Sequence, residues 1–322
     1  MTLVLTNAII FGVIILYGCL GEILMEKAGH LNLGIPGIMS LGMAGGYWAT
    51  TLYVNSLTVP AEAKYFIVVL LAILGSSLFS AIGGLIYAFF TVTLRCNQNI
   101  TGLALTTLGA GFADFFISNK VNTANKGVIY DLISKYIPAA DKTGWFGSIF
   151  LSHGILVYLG IAIAFVFGYV LKRTRLGLNV RAVGESPATA DAAGINVTAY
   201  KYGSILIGCI IAGLGGFYYL MTYVTQGSFV NTATIESYGW LAIALVVFCL
   251  WRPGFGVIGS ILFGGLTVAV NLFPGLSTVQ AQLVTMLPYL VTVIVLIITS
   301  VFDSKNAQPP ASLGLNYFRE ER

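Results

Sequence analysis

Nine long apolar runs, separated by short polar joints, leave this chain few ways to fold. They occupy residues 4–24, 33–54, 65–94, 99–118, 149–172, 202–225, 235–251, 254–273 and 283–303. Most approach the ~20 residues a helix needs to cross the hydrocarbon layer. Lipid offers no partner to a backbone amide or carbonyl, so a spanning segment must bond within itself or close into a barrel. The short alternating strands of a barrel are absent from the sequence. Composition agrees, because only 9% of 322 residues are charged, against roughly a quarter in soluble domains. The expected fold is an all-α, polytopic transmembrane bundle of about nine crossings (eight to ten). It forms one integrated domain over residues 1–303, followed by a tail over 304–322. The stretch 65–94 reads as one long tilted helix or a broken one. No basic region precedes the first run and no small-residue cleavage site follows it, so it reads as a retained membrane helix.

The longest polar interruption that also gathers positive charge is Lys172–Tyr202. If this loop is cytoplasmic, alternation places eleven of the sixteen Lys and Arg residues inside, among them Lys27, Arg95, Arg181 and Arg252. Five remain outside: Lys64, Lys120, Lys126, Lys135 and Lys142. That asymmetry has the sign the positive-inside rule requires. At the middle of the loop a short helix is clearly punctuated. Ser186 suits its N-cap, Pro187 its first position and Gly194 its stop. Between them Ala188, Thr189, Ala190, Asp191, Ala192 and Ala193 make an almost bare helix, marginal alone in water. Small side chains all round allow another protein's groove to approach the backbone closely. The segment reads as a plug offered to a cytoplasmic partner.

A second unusual stretch, Gly21–Gly34, sets Glu22, Glu26, Lys27, His30 and Asn32 between two apolar runs. It reads either as a solvated hairpin or as an irregular, partly buried segment near a transport path, since irregular backbone at membrane depth needs protein or a wet cavity around it. Glu22 is the residue to watch, because an ionisable group at depth is costly. Asn97, Gln98, Asn99, Thr101 and Thr106 either cap the next helix or face an internal path. Glu22, Asn32, Asn97, Asn99 and Thr106 are thus the candidate path residues. Gly37, Gly42, Gly45 and Gly46, with Gly208, Gly213, Gly215 and Gly216, form small-residue faces for close helix packing. The loop over 119–148 is the largest external one, with an amphipathic piece at Val128–Ile137. Trp251-Arg252-Pro253-Gly254 reads as a tight cytoplasmic turn with an interfacial Trp.

Several chemistries lack their residues. No GxxxxGK[ST] loop, HExxH, zinc-spaced Cys/His cluster or GxSxG elbow occurs. No metal site is expected. Cys19, Cys96, Cys209 and Cys249 lack metal spacing and read as structural thiols. The basic run Lys172-Arg173-Thr174-Arg175 sits at a helix end, where topology accounts for it better than nucleic-acid or lipid binding does.

With these residues laid out, the chain resembles the permease subunit of bacterial ATP-binding-cassette importers, in the branch serving simple sugars, branched-chain amino acids and nucleosides. The resemblance is carried by Arg181-Ala182-Val183-Gly184-Glu185-Ser186-Pro187 and Ala192-Ala193-Gly194-Ile195-Asn196-Val197. Gly21-Glu22, Leu31-Asn32-Leu33-Gly34, Thr101–Thr106 and Gly239–Leu245 support it. The tail Pro310-Ala311-Ser312-Leu313-Gly314-Leu315-Asn316-Tyr317 looks like the ending of nucleoside permeases served by a basic-membrane-protein-type binding lipoprotein. Ser312 stands there where Ala is usual, and Asn316 where Pro is usual.

The resemblance implies a type II importer fold in the bacterial inner membrane. Arg181, Gly184, Glu185, Ser186, Pro187, Ala188, Asp191, Ala192, Ala193 and Gly194 would form the helix that couples to a separate ATPase subunit. Glu185 and Asp191 would meet polar or basic groups there. ATP and Mg would bind the partner, with no cofactor on this chain and no catalysis by it. A second related permease chain, a substrate-binding lipoprotein and membrane lipids complete the implied partners; nucleic acid is not one. An ion-coupled secondary transporter and a membrane scaffold are the competing readings. The first would place interacting ionisable groups at the midplane, where Glu22 has no evident partner in the sequence.

Overall fold

Each apolar run becomes a helix in the computed structural model, which describes residues 2–118, 123–135, 144–224, 232–273, 275–301 and 308–318. The long helices are α1 (Thr2–Lys27), α2 (Ile35–Ser56), α3 (Tyr65–Ala88), α4 (Gln98–Ser118), α7 (Ile155–Arg173), α10 (Val197–Val224), α11 (Thr232–Phe248), α12 (Pro253–Thr267) and α14 (Leu287–Val301). Six helical stretches are long and apolar enough to span a bilayer outright, and α11 and α12 are shorter apolar helices. The remaining helices are α5 (Thr123–Ile133), α6 (Gly144–Phe150), α8 (Arg175–Glu185), α9 (Pro187–Ala192) and α13 (Thr278–Thr285). No β-strand occurs among the described residues.

The stretch 65–94 is continuous. Helix α3 runs on through a π-helical turn, Phe89–Thr93, before Arg95 reverses the chain with φ of 59°. The amphipathic piece of the outer loop falls largely in α5, while residues 119–122 and 136–143 of that loop lie outside the described residues, as do 304–307 and 319–322 of the tail.

Helix α1 is the axis of the bundle. It is buried from Phe11 to Glu26 on every face, as a helix apolar all round must be. Against it pack α10, α11 and α12, with α2 packed in turn on α10, and glycine sets several of these spacings. Gly21 of α1 faces Gly208 of α10, Gly42 of α2 faces Gly213 of α10, and Gly12 of α1 faces Gly264 of α12. A Cβ on Gly42, Gly213 or Gly216 would run into a neighbouring helix. Between helices in lipid the attraction comes from such close packing rather than from water exclusion.

The basic residues collect at one end of this bundle. Lys27 senses the charges of Arg181, Arg252 and Glu185, and its ammonium lies 5.8 Å from the Trp251 ring. This is the end the positive-inside rule would assign to the cytoplasm. Trp251 itself departs from expectation. Leu250 and Trp251 take left-handed φ values of 52° and 54°, which fold the indole back beneath α1. It is buried and donates its Nε1–H to Glu26.

Candidate functional site

Two polar constellations meet at the basic end. The outer one is built on α8 and α9. Thr174 caps α8 by accepting from the Gly177 amide at 3.2 Å, and the amphipathic sequence of α8 buries Val180, Val183 and Gly184. Ser186 ends α8 and starts α9, its hydroxyl accepting from the Thr189 amide at 3.3 Å, with Pro187 in the first turn. Gly194, at φ of 82°, closes α9, and the Ile195 amide returns to the Ala190 carbonyl at 3.0 Å. Caps of this kind each contribute about 1 kcal/mol. They matter here because a six-residue helix cannot hold itself together.

Beneath α9 lies a small separate core of Val183, Ala190 and Val197, packed by Ala182, Ile195, Tyr200 and Tyr317. It turns one side of α9 inward and leaves Ala188, Ala192, Ala193 and Gly194 exposed. Arg181 and Glu185 are exposed beside them, and Gly184 is buried against the backbone of Lys27 and Gly29. All ten residues expected at the plug therefore fall on one short hairpin, firmly based and bare at its tip.

What else holds that hairpin carries no signature in the local residues. The C-terminal segment 308–318 crosses it as a strap. The Ser312 amide and hydroxyl both donate to the Gly184 carbonyl, the amide at 3.0 Å. The Ala311 amide donates to Glu185 Oε2 at 3.2 Å, and the Tyr317 hydroxyl to Asp191 Oδ2 at 2.9 Å. Asn316 Nδ2 donates to the Arg95 carbonyl at 2.6 Å, and the Gly314 amide reaches the Gly29 carbonyl at 3.2 Å. The two carboxylates expected to meet a partner are thus engaged by the chain's own tail. Ser312 and Asn316, the two departures from the nucleoside-permease ending, supply three of these bonds, two of them from their side chains.

The inner constellation centres on Gly21–Gly34, and it is buried rather than solvated. Glu22 and Glu26, one helical turn apart, are inaccessible, as are His30 and Asn32. The Asn32 amide donates to Glu22 Oε1 at 2.8 Å, and Asn32 Oδ1 accepts from the Gly34 amide at 2.9 Å. Tyr87 donates its hydroxyl to the Leu31 carbonyl at 2.8 Å, Gln98 accepts from the Leu31 amide at 2.9 Å, and Thr106 donates to the Leu33 carbonyl at 3.0 Å. Irregular backbone at this depth is satisfied group by group, as it must be. The side chains are less complete: Glu22 Oε2 is buried without a hydrogen-bond partner, and His30 goes further. Neither ring nitrogen has a partner, and burial, with the Lys201 charge behind it, holds the imidazole well below its ordinary pKa of 6.5.

The candidate path residues consequently divide. Glu22, Asn32 and Thr106 join one closed network, where each serves to pin the 31–34 backbone. Asn97 and Asn99 do not join it. Both are exposed at the start of α4, and Asn97 caps that helix by accepting from the Ile100 amide at 3.1 Å. Gln98, between them, is the side chain that turns inward. Sequence could not separate these three amides, because only the helix phase set by the turn at Arg95 decides which one faces the core. Among the described residues no group of three His, Cys, Asp or Glu side chains is placed to hold a metal ion.

Known proteins place this architecture. The chain is 29% identical to the nucleoside ABC transporter permease protein NupC of Lactococcus lactis over 323 residues, covering 99% of this chain and 98% of that one. It is 28% identical to the guanosine ABC transporter permease protein NupQ of Bacillus subtilis, covering 100% and 98%. A protein of Haloferax volcanii provisionally named as a glucose ABC transporter permease is 30% identical, covering 95% and 94%. The family described as branched-chain amino acid transport system / permease component matches residues 4–299. That match runs from the first membrane helix through the last, and the chain, a multi-pass inner-membrane protein, belongs to this family of transport permeases.

Proposed function

We propose that the chain is the non-catalytic transmembrane subunit of an ATP-driven importer, and that its substrate is a nucleoside. The observation that carries the coupling role is the α9 knob, which is capped at both ends, backed by its own small core and bare at its alanine tip. A partner groove can close over Ala188, Ala192 and Ala193 without meeting a bulky side chain. A knob held this firmly can pass displacement into α8 and α10 instead of absorbing it. In this reading ATP and Mg bind the partner ATPase. Two permease chains, this one and a related second chain, enclose the path between them, and an extracytoplasmic binding lipoprotein delivers the substrate. The nucleoside assignment rests on the names of NupC and NupQ together with the tail 310–317.

The experiment is reconstitution of the permease pair with its ATPase and binding protein in liposomes, followed by uptake of labelled nucleoside. Competition with unlabelled glucose and branched-chain amino acids discriminates the substrates, and a block by glucose with none by nucleosides would transfer the assignment to sugars. Replacing residues 184–193 with a Gly/Ser linker should abolish substrate-stimulated ATP turnover; unchanged turnover would overturn the coupling role. Uptake by this chain alone under an ion gradient would instead establish an ion-coupled carrier. The closed network around Glu22 disfavours that outcome, because a coupling carboxylate must be reachable by its ion.

A further inference from the structure

A polar cleft of about 440 Å³ opens at the basic end between the π-helical turn after α3, the end of α9, the start of α10 and the tail. Thr91, Arg95, Asp191, Thr198, Lys201 and Tyr317 are among its lining residues. Lys201 is the unusual member. It is only 3% exposed, yet it makes no hydrogen bond or ion pair among the described residues. A buried ammonium without a partner is costly, and its neighbour His30 offers no negative charge. Arg95 brings a second cation, its guanidinium 4.8 Å from the Phe318 ring. Asp191 is the carboxylate among these six, and it already accepts from Tyr317. The cleft also abuts the first turn of α10, a 28-residue helix, whose amide dipoles favour an anion.

We propose that this cleft binds a phosphoryl group carried on a small organic body. Lys201 and the Thr198 hydroxyl, both on α10, and Arg95, in the turn after α3, line it as three donors from two elements, which suits an anion with several acceptor oxygens better than a planar carboxylate. The volume is that of a small-molecule site rather than of a bare ion. Two sources share this chemistry. One is the headgroup of an anionic lipid, since Phe89, Phe90 and Leu94 form an exposed apolar strip beside the cleft along which acyl chains would lie. The other is a soluble phosphomonoester.

The test places the full chain in phosphatidylcholine nanodiscs and follows thermal unfolding. One arm adds phosphatidylglycerol to the bilayer; the other adds glycerol 3-phosphate at constant ionic strength. Wild type should be stabilised by several degrees in at least one arm, and the arm that responds identifies the source. Lys201→Met should weaken that response at least tenfold in apparent affinity, and Lys201→Arg should keep it. Without added anion, Lys201→Met should unfold at a higher temperature than wild type, because it removes an unpaired charge while keeping the packed stem. No response of wild type in either arm would overturn the proposal, as would a Lys201→Met response equal to wild type.

Discussion

The Tyr317 hydroxyl donates to the Asp191 carboxylate at 2.9 Å, tying the tail of the chain to the six-residue helix that its middle carries at the basic end of the bundle. Two segments more than a hundred residues apart in sequence thereby share one base. Tyr317→Phe removes the bond and leaves the ring packed against Val183 and Ala190. The expected loss is about 0.5–1.5 kcal/mol, read as a lower unfolding temperature and faster proteolysis after residue 308. In a double-mutant cycle with Asp191→Asn the two changes should be less than additive. Full additivity would mean the bond contributes nothing.

Capping should be worth more to coupling than to the fold. Ser186→Ala removes the acceptor for the Thr189 amide and should cost about 1 kcal/mol locally. Gly194→Val forces a β-branched residue to φ of 82° and should cost at least about 1–2 kcal/mol. Global unfolding of the membrane bundle should barely move in either variant, whereas substrate-stimulated ATP turnover in the assembled transporter should fall severalfold.

Helix spacing supplies a contrast within one residue type. A Cβ at Gly216 would collide with the Met39 carbonyl of α2, whereas at Gly203, in the same helix α10, it would meet nothing within 4 Å. Gly216→Ala should destabilise by about 1–3 kcal/mol, the usual cost of overpacking. Gly203→Ala should be neutral or slightly stabilising. Thermal unfolding in detergent compares the pair directly.

Glu22 is predicted to be structural. Glu22→Gln keeps an oxygen for the Asn32 amide, so stability should stay within about 1 kcal/mol and uptake should persist. Glu22→Ala leaves that amide unpaired and should cost about 1–3 kcal/mol. If Glu22→Gln folds normally yet loses uptake, the residue belongs to the transport chemistry instead.

His30 sets a pH dependence. Its folded pKa lies well below the ordinary 6.5 because burial disfavours the imidazolium. The unfolded chain therefore binds a proton that the folded chain refuses once pH falls below that ordinary value. Its contribution is fully present above about pH 6.5 and declines by about 1.4 kcal/mol per unit below it, until the folded pKa is reached. His30→Leu should flatten the stability profile between pH 6.5 and 5, measured by thermal unfolding across that range.

The membrane helices were legible in the sequence because each depends on local composition alone, and the start and stop of α9 because Ser186, Pro187 and Gly194 are local signals. The strap was not legible. Its bonds from Ala311, Ser312 and Gly314 use backbone groups, which carry no residue signature, and their acceptors lie near Gly29 and Gly184. Nor was the burial of Trp251, which depends on two left-handed residues that nothing in their side chains demands. The division among Asn97, Gln98 and Asn99 was lost for a related reason, since one helix phase decides all three.

The glycine pairings among α1, α2 and α10 also bear on how this protein can move. Where backbones touch, no side chain is left to change rotamer and absorb a shear, so the three helices have no small displacement available to them. They turn as a single keel or not at all. Alternating exposure of the two sides must then arise at the periphery, where bulkier residues pack less intimately and adjacent helices can slip.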